Sequence, residues 1–585
     1  MKKNLKKLTA AFLIPGALVL TLAGCAGISG NSTQETTAET EAVTETETST
    51  VAEKESSSGS DTNTSTAGVP DGFSERDFDT SYADAIPVTL ATGATSTDAE
   101  GVSVDGNPVT FTKAGSYILS GELEGGQIVI DMPGESDKLQ IVLNGVNITN
   151  SSSAGIYVKN ADKVFVTTAS GSENSIATTG DFVQTDENNV DGAIYSKDDL
   201  VFNGEGTLKV SCAAGHGIVS KNDLKITGGT YEISSASKAL QGKDMVGIAG
   251  GTLSLTAGTD GIDSVDVRIF DGDISITAGD EGINNDVSDE NTQPTVTLAG
   301  GKVKLESADD AIQSTGQVMI SGADIDIVSG GGSTNAAEHY DDMMFGQMGG
   351  WKGMGQQGPQ FGGEQSSTGE INYDTDDDTS ANDGTKNKGI KAAGITVDSG
   401  NVNIDSQDDA IHADGEITVN GGTFTIKAGD DGIHADEKVI ISGGTFNIDA
   451  WEGIEATVVQ INDGDITINA SDDGINSTQK VSGLSSELEI NGGNLVINMA
   501  QGDTDALDSN GNLYITGGNV ELNAQSPFDY DGGGSITGGT VYVNGTQVTE
   551  IYNQMMGGGM QGGMQGGPGM QGGPGMQGGM HGGQV

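Results

Sequence analysis

Pairs of acidic residues recur from the middle of the chain onward, each standing just before a small residue and an aliphatic one. The pairs are Asp280 and Glu281, Asp309 and Asp310, Asp408 and Asp409, Asp430 and Asp431, and Asp472 and Asp473, and single acids stand at the same place at Asp260, Glu452 and Asp505. Calcium takes six to eight oxygen ligands and accepts carboxylates in flexible geometry. The doubled acids therefore indicate calcium sites, although a single Asp before Gly is also an ordinary turn former.

A repeat of about 22 residues spaces these acids. An aliphatic residue, which we call the anchor, closes each unit; the anchors are Ile194, Ile218, Leu240, Ile262, Ile283, Ile312, Ile390, Ile411, Ile433, Ile454, Ile475 and Leu507. Between anchors, apolar and polar residues alternate, as in Gly-Gly-Thr-Phe-Thr-Ile-Lys-Ala at 421–428, which predicts short strands with one buried face. Short strands and Gly turns at this period predict a parallel β-helix, a solenoid in which equal positions stack.

Stacked acidic pairs would repel one another strongly. Two unit charges about 5 Å apart cost roughly 0.8 kcal/mol in water and roughly 3 kcal/mol at an effective dielectric constant of 20. Summed over several units, this repulsion would rival the stability of a domain. Either the side chains splay into water or a cation lies between them, and we expect calcium.

Five residues depart from the acidic pattern at this turn. Lys238 and Lys388 occupy the acidic position, and each is either a built-in counter-cation or a general base for β-elimination on a uronide. Trp451 replaces the first acid of its pair and is either a surface for sugar stacking or a loop cap. His412 and His434 follow successive anchors and should stack, either as a zinc site or as exposed side chains.

The composition limits the class of protein. The formal net charge is −58, Gly accounts for 93 of 585 residues, and aromatic residues make up only 4%. Nucleic-acid binding needs Lys and Arg to neutralise phosphates, and here 26 basic residues are outnumbered by 84 acidic ones, so we expect no nucleic-acid binding. Only eight acids lie in residues 29–70 and none follows residue 554, so the charge belongs to the region of the repeats.

The N-terminus has the features of a secretory signal. Four Lys residues precede the apolar run 10–22, which is too short to span a membrane comfortably. The run ends in Leu22-Ala23-Gly24-Cys25, which resembles the bacterial lipobox. We expect lipid on Cys25 to hold the protein at the cell membrane, facing outside the cytoplasm. The remaining cysteine, Cys212, lies in a strand-like run, and we expect it to be a buried structural thiol.

These features divide the chain into seven segments. They are a lipoprotein signal peptide (1–24), the lipidated Cys with a Ser/Thr/Glu-rich linker (25–84), an N-terminal cap with the first coils (85–190), β-helix coils (191–330), a disordered Met/Gly-rich insertion (331–386), further coils (387–552) and a disordered Met/Gln/Gly-rich tail (553–585).

The chain resembles the clostridial carbohydrate-binding domain-containing β-helix lipoproteins. The resemblance rests on the motif Ser196-Lys197-Asp198-Asp199-Leu200 and its surroundings (193–229), and on the segments 114–121 and 143–148. It implies a right-handed parallel β-helix, bound calcium, and binding of cellulose-like or acidic polysaccharides such as polygalacturonate, without established catalysis.

Three hypotheses for function follow. The first is a calcium-dependent, non-catalytic carbohydrate-binding lipoprotein, with the ten paired acids as metal ligands and with Trp451 and Lys388 contacting sugar. The second is a calcium-dependent polysaccharide lyase that uses Lys388 or Lys238. The third is an adhesin-like spacer in which calcium provides stiffness only. Neither the sugar nor the oligomeric state follows from the sequence.

Overall fold

The computed structural model of the protein describes residues 68–134, 137–285, 292–336, 387–501 and 504–552. The predicted signal peptide, Cys25, most of the predicted insertion and the predicted tail lie outside these ranges. The chain divides into Met1–Thr64 and Ser65–Val585, and the described residues all belong to the second unit. Among them, no helix combines the length and apolar character needed to cross a membrane.

The described residues form forty strands and two short 3-10 helices, Glu75–Phe78 and Ser333–Asn335. The strands before the regular repeats are β1 (Ile86–Ala91), β2 (Val102–Val104), β3 (Pro108–Phe111), β4 (Gly115–Glu124), β5 (Gln127–Asp131), β6 (Lys138–Asn150), β7 (Ile156–Asn160), β8 (Lys163–Thr168) and β9 (Glu173–Thr178). The next strands are β10 (Gly192–Ser196), β11 (Asp199–Gly204), β12 (Thr207–Cys212), β13 (His216–Ser220), β14 (Asp223–Ile226), β15 (Thr230–Ser235), β16 (Leu240–Gly242), β17 (Met245–Ala257), β18 (Ile262–Asp263), β19 (Asp266–Ala278), β20 (Ile283–Asn285), β21 (Thr295–Leu298), β22 (Lys302–Ser307) and β23 (Ile312–Ser329). The strands from residue 387 onward are β24 (Ile390–Ser406), β25 (Ile411–Ala413), β26 (Glu416–Val419), β27 (Thr423–Ala428), β28 (Asp431–Ile441), β29 (Thr445–Ala450), β30 (Glu452–Ile461), β31 (Asp465–Ala470), β32 (Ile475–Ser477), β33 (Glu487–Ile490), β34 (Asn494–Met499), β35 (Leu507–Ser509), β36 (Asn512–Ile515), β37 (Asn519–Asn523), β38 (Gly534–Ile536), β39 (Thr540–Val543) and β40 (Thr546–Val548).

The strands that carry the anchors pair with one another in a parallel row, which we call the anchor row. Every anchor lies opposite the next one, from Ile194 with Ile218 to Ile475 with Leu507. The row continues across the predicted insertion, because Ile312 pairs with Ile390. The register predicted from the 22-residue repeat is therefore confirmed.

The fold is all-β, as predicted, but the prediction of a right-handed parallel β-helix solenoid is wrong. The structure shows a closed parallel barrel of eight strands with many further strands outside it. Several strands are also much longer than the predicted three to five residues; β23 and β24 have 18 and 17 residues. The repeat and the alternation determine which strands become parallel neighbours, but they determine neither the handedness of the connections nor how the sheet closes.

The core consists of the alternating apolar side chains of these strands. In β27, Phe424 and Ile426 are buried while Thr423, Thr425 and Lys427 are exposed. Phe424 stacks on Phe446 of the neighbouring β29, with parallel rings 4.4 Å apart between centroids. Cys212 is a buried free thiol, which confirms its predicted structural place.

Glycine is required at a turn where successive units come close together. Gly204, at the end of β11, has a φ of 110°. A Cβ at this position would lie 2.2 Å from the carbonyl oxygen of Thr168 in the preceding unit. Both the backbone conformation and the close approach exclude a larger residue.

The segment just before β1 packs on the sheet, although it falls within the range predicted as linker. Asp77 is fully buried, and its carbonyl oxygen accepts hydrogen bonds from Asn203 Nδ2 (3.1 Å) and Thr227 Oγ1 (2.8 Å). The guanidinium of Arg76 lies 4.5 Å from the centre of the Phe165 ring. Contacts with the sheet therefore begin before residue 85.

Candidate functional site

The acidic pairs lie at the turn that leads into the anchor row. We call the acid three residues before each anchor the outer acid and the one two residues before it the inner acid. Four of the five paired inner acids are buried, namely Glu281, Asp310, Asp409 and Asp431. Four of the five outer acids are half-buried, namely Asp280, Asp408, Asp430 and Asp472. The turn therefore has carboxylates at two depths, with the outer ones nearer to solvent.

The inner acids also hold neighbouring units together. Oδ1 of Asp310 accepts a hydrogen bond from the backbone N–H of Lys388 (2.8 Å), and Oδ1 of Asp409 accepts one from the N–H of Asp431 (3.1 Å). Asp473 accepts a bond from the N–H of the next inner position in the same way, at 3.1 Å. One oxygen of each of these acids thus accepts a hydrogen bond from the backbone of the next unit. The sequence analysis did not predict these bonds.

Three acids converge in what we call the first acidic cluster. Asp260, Asp280 and Glu281 each place one oxygen within 4.8 Å of the others. Lys238 lies beside them, with Nζ 3.0 Å from Asp260 Oδ2 and in contact with Asp263. Burial and a hydrogen bond with Asp260 raise the pKa of Glu281 to about 8. The cluster offers oxygen donors only.

Asp408, Asp409 and Asp430 form a second acidic cluster, and Lys388 lies within it. Each acid places one oxygen within 4.8 Å of the others. Nζ of Lys388 lies 2.9 Å from Asp408 Oδ1 and 2.6 Å from Asp409 Oδ2. Burial, together with Asp409 and Asp408, raises the pKa of Asp430 to about 7. Burial alone would raise the pKa of Asp409. Lys388 and the nearby His412 and His434 outweigh this effect and hold the pKa well below its usual range.

The geometry favours Lys388 as a counter-cation over Lys388 as a general base. Burial alone would lower the pKa of Lys388, but Asp409 and Asp408 outweigh it and raise the pKa above its ordinary value. A general base works best when its pKa lies near the operating pH. A buried ammonium held by two carboxylates lies far from that condition.

His412 and His434 lie opposite each other in neighbouring strands, as predicted, with ring centroids 4.7 Å apart and ring planes inclined by 56°. The expectation that they are exposed is wrong, because both are buried. Each ring is held over the inner acid of its own unit: Nδ1 of His412 lies 2.9 Å from Asp409 Oδ2, and Nδ1 of His434 lies 2.9 Å from Asp431 Oδ2. Burial alone would lower the pKa of His412, but its hydrogen bonds to Asp409 and Asp414 raise it to about 9.

The sequence analysis did not single out two residues of this region. Glu455 lies opposite His434 in the anchor row, with Oε2 3.6 Å from its Nδ1. Lys480 lies on the other side, with Nζ 3.0 Å from the same Glu455 oxygen. Burial and the charge of Asp431 raise the pKa of Glu455 to about 8. Glu455 could have been found from its position in the repeat, because it stands directly after an anchor, as His412 and His434 do.

Four predicted metal ligands lie elsewhere along the row. In the part of the chain that the structure describes, Asp309, Asp310, Asp472 and Asp473 belong to none of the groups of three potential ligands that converge within 4.8 Å. Asp309 and Asp310 instead accept hydrogen bonds from the N–H of Asn387, at 3.2 and 3.0 Å. Burial and the nearby acids raise the pKa of Asp473 well above its ordinary value.

Trp451 is half-buried at its turn. Its N–H donates to the carbonyl of Asp430 (2.9 Å), and its own carbonyl accepts bonds from the N–H groups of Ser471 and Asp472 (both 3.0 Å). The backbone of Trp451 therefore joins three successive units. These contacts involve the backbone alone, so the role of the ring, as a surface for sugar stacking or as a loop cap, stays a prediction.

An open polar groove crosses the outward faces of β12, β15 and β17. Its volume is about 630 Å³. Its polar lining includes Lys209, Ser211, Glu232, Ser234 and Ser254. Lys209 and Glu232 form an ion pair of 2.9 Å across it. Shallow hydroxyl-rich surfaces of this kind offer hydrogen-bond partners to sugars, and the sequence analysis did not single this one out.

Comparison with known proteins gives three matches. The family described as carbohydrate-binding domain-containing protein matches residues 105–268, 264–432 and 430–553. A protein of that description from Acetivibrio thermocellus is 41% identical over 138 residues, which are 23% of this chain and 48% of the relative, so the match spans about half of the relative's length. A solved structure of the polysaccharide lyase-like protein from C. thermocellum, a gadolinium derivative, is 35% identical and covers 42% of this chain and 92% of that chain. The TM-score of this match is 0.35.

Proposed function

Since the chain belongs to the carbohydrate-binding domain-containing protein family, we propose that it binds a plant-cell-wall or acidic polysaccharide through calcium held by the acidic turns. We place the principal calcium ion at the first acidic cluster. Asp260, Asp280 and Glu281 supply oxygen donors, which is the donor type that calcium takes. Lys238 occupies one side of the cluster and sets one boundary of the site.

The observation that supports this proposal is the difference in depth between the two acids of a pair. Glu281 is buried and would bind the ion from the protein side, whereas Asp280 is half-buried and lies towards solvent. Three carboxylates leave part of a coordination shell of six to eight oxygens to other donors. Hydroxyl or carboxylate oxygens of a polysaccharide would complete it. A bridging cation also removes the repulsion between an acidic glycan and a chain of net charge −58.

We propose binding without catalysis. A lyase needs a base that can accept a proton from the sugar, and the ammonium of Lys388 is held by Asp408 and Asp409 with a raised pKa. Lys238 is likewise paired with Asp260, and its pKa is raised by Asp263 and Asp260 against the effect of burial.

We further propose that lipid on Cys25 holds the protein at the outer side of the cell membrane; Cys25→Ala should release it into the culture medium.

Retention of the protein on polygalacturonate and on cellulose tests the proposal. We expect retention in calcium, loss in EDTA, and at least tenfold weaker retention for the double variant Asp280→Asn, Glu281→Gln. The matched control is Asp324→Asn, Asp326→Asn, which removes two exposed acids of β23 that belong to none of the acidic pairs. Retention that survives EDTA and is lost on replacing Lys209 and Glu232 would assign binding to the groove and overturn the calcium proposal. An unsaturated product absorbing in the ultraviolet would overturn the absence of catalysis.

A further inference from the structure

Beyond the first acidic cluster, the anchor row contains a group of buried ligands with a different donor chemistry. Asp431, His434 and Glu455 each place one ligand atom within 4.8 Å of the others, and all three are at most 5% exposed. From Nδ1 of His434, Asp431 Oδ2 lies at 2.9 Å and Glu455 Oε2 at 3.6 Å. Ligands 2.0–2.1 Å from a tetrahedral ion are roughly 3.4 Å apart, so these separations need little adjustment.

The other nitrogen of His434 gives a second, independent observation. Its Nε2 is buried and has no hydrogen-bond partner among the residues that the structure describes. The nearest acidic oxygen is Asp436 Oδ1, at 3.8 Å. A ligating His commonly donates its second N–H to a carboxylate, which fixes the ring and its tautomer. Asp436 stands where that carboxylate would be, and a small shift of the ring towards it would satisfy an otherwise orphaned polar atom.

We propose that Asp431, His434 and Glu455 bind a transition-metal ion of the zinc type, distinct from the calcium of the first acidic cluster. One imidazole nitrogen and two carboxylates form a three-residue set that leaves a fourth position open. Imidazole suits Zn²⁺, whereas Ca²⁺ takes oxygen ligands. Asp409 and His412 also converge with His434 within 4.8 Å. Oδ2 of Asp409 already lies 2.6 Å from Nζ of Lys388 and 2.9 Å from Nδ1 of His412, so we leave Asp409 and His412 outside the proposed set. Lys480, 3.0 Å from Glu455 Oε2, balances part of the negative charge at the edge.

Zinc titration of the full chain tests this proposal. The protein is stripped with a chelator and then titrated calorimetrically with Zn²⁺ in the presence of millimolar Ca²⁺, which occupies oxygen-only sites. We expect one tight Zn²⁺ equivalent in the parent protein and at least a hundredfold weaker binding of that equivalent in His434→Gln. The matched control His216→Gln alters a histidine outside the cluster and should bind as the parent does. Unchanged zinc affinity in His434→Gln, or displacement of the tight ion by calcium, would overturn the proposal.

A second measurement covers the case in which His434→Gln does not fold. Anomalous diffraction at the zinc edge locates the ion in the unaltered protein. A peak bounded by Asp431, His434 and Glu455 supports the site, and a tight ion found elsewhere refutes it. Because this readout involves neither glycan nor calcium, it stands whether or not the proposed function is correct.

Discussion

At the scale of single residues, Lys388 should contribute strongly to stability because its ammonium lies between Asp408 and Asp409. Lys388→Met keeps most of the side-chain volume but leaves the buried Asp409 and the half-buried Asp408 without that partner. Removing one partner of a buried ion pair costs about 3–5 kcal/mol, so we expect the free energy of unfolding in urea to fall by that amount. Lys302→Met, at an exposed lysine of β22, is the control and should change it by less than about 0.5 kcal/mol. Equal losses in the two variants would mean that the ammonium is not the counter-charge.

Asp508 should make stability depend on pH. Burial, with Asp529 and Asp505 nearby, raises the pKa of its carboxyl to about 7. The folded protein therefore keeps a proton that the unfolded chain releases near its ordinary pKa, so stability from this group falls as pH rises from about 4 to about 7.

Asp508→Asn removes this effect. In chelator, we expect the variant to gain on the order of 1 kcal/mol relative to the parent at pH 8 and nothing at pH 4. Urea denaturation at both pH values measures the difference, with the exposed Asp105→Asn as control. A gain that is the same at both pH values would contradict the prediction.

The residue-level contacts could be predicted only in part. The pairing of His412 with His434 in neighbouring strands followed from the repeat, because both stand directly after an anchor. Their burial did not follow, since the enclosing contacts come from Asp409 and Asp431, three residues earlier at the turn. Lys480 could not be predicted, because it lies after the anchor strand and its position depends on how the chain folds back towards Glu455.

At the scale of elements, the short 3-10 helix Glu75–Phe78 should stabilise the sheet it covers. Oδ2 of Asp77 accepts a hydrogen bond from the N–H of Ser74 (2.9 Å), and Oδ1 lies 3.4 Å from Nζ of Lys163. We expect Asp77→Ala to cost about 1–3 kcal/mol, because it leaves buried polar groups unsatisfied. Limited proteolysis should then cut first near this helix. The exposed Asp79→Ala, in the same segment, should leave the cleavage rate unchanged; similar rates in the two variants would argue against a stabilising role.

The arrangement of strands illustrates what a repeat pattern can and cannot specify. The alternating residues and the anchors predicted the pairing of strands more than 70 residues apart, such as Ile312 with Ile390, because only that register keeps every aliphatic face buried. The closed barrel with outer strands was not predicted, because closure depends on twist and on turns such as Gly204, whose effects are small at each step and accumulate over the sheet.

At the scale of the whole molecule, calcium should act on folding and on glycan binding together. Ligands that bind only the folded protein stabilise it by about 2.7 kcal/mol at one hundred times their Kd. We therefore expect millimolar calcium to raise the Tm of the chelator-treated protein by several degrees. Magnesium is the control and should raise it less, because it demands octahedral geometry and retains its waters.

A polysaccharide that completes the calcium coordination should raise the Tm further, but only when calcium is present. Without calcium, an acidic glycan meets a strongly negative chain and should leave the Tm unchanged. The Asp280→Asn, Glu281→Gln variant should lose the additional rise caused by the glycan, because its coordination would have to pass through the first acidic cluster. Scanning calorimetry with calcium, with polygalacturonate and with both separates the alternatives. A rise with calcium and no further rise with any glycan would instead identify a spacer that calcium stiffens, and a rise with glycan in chelator would place the sugar on a calcium-free surface.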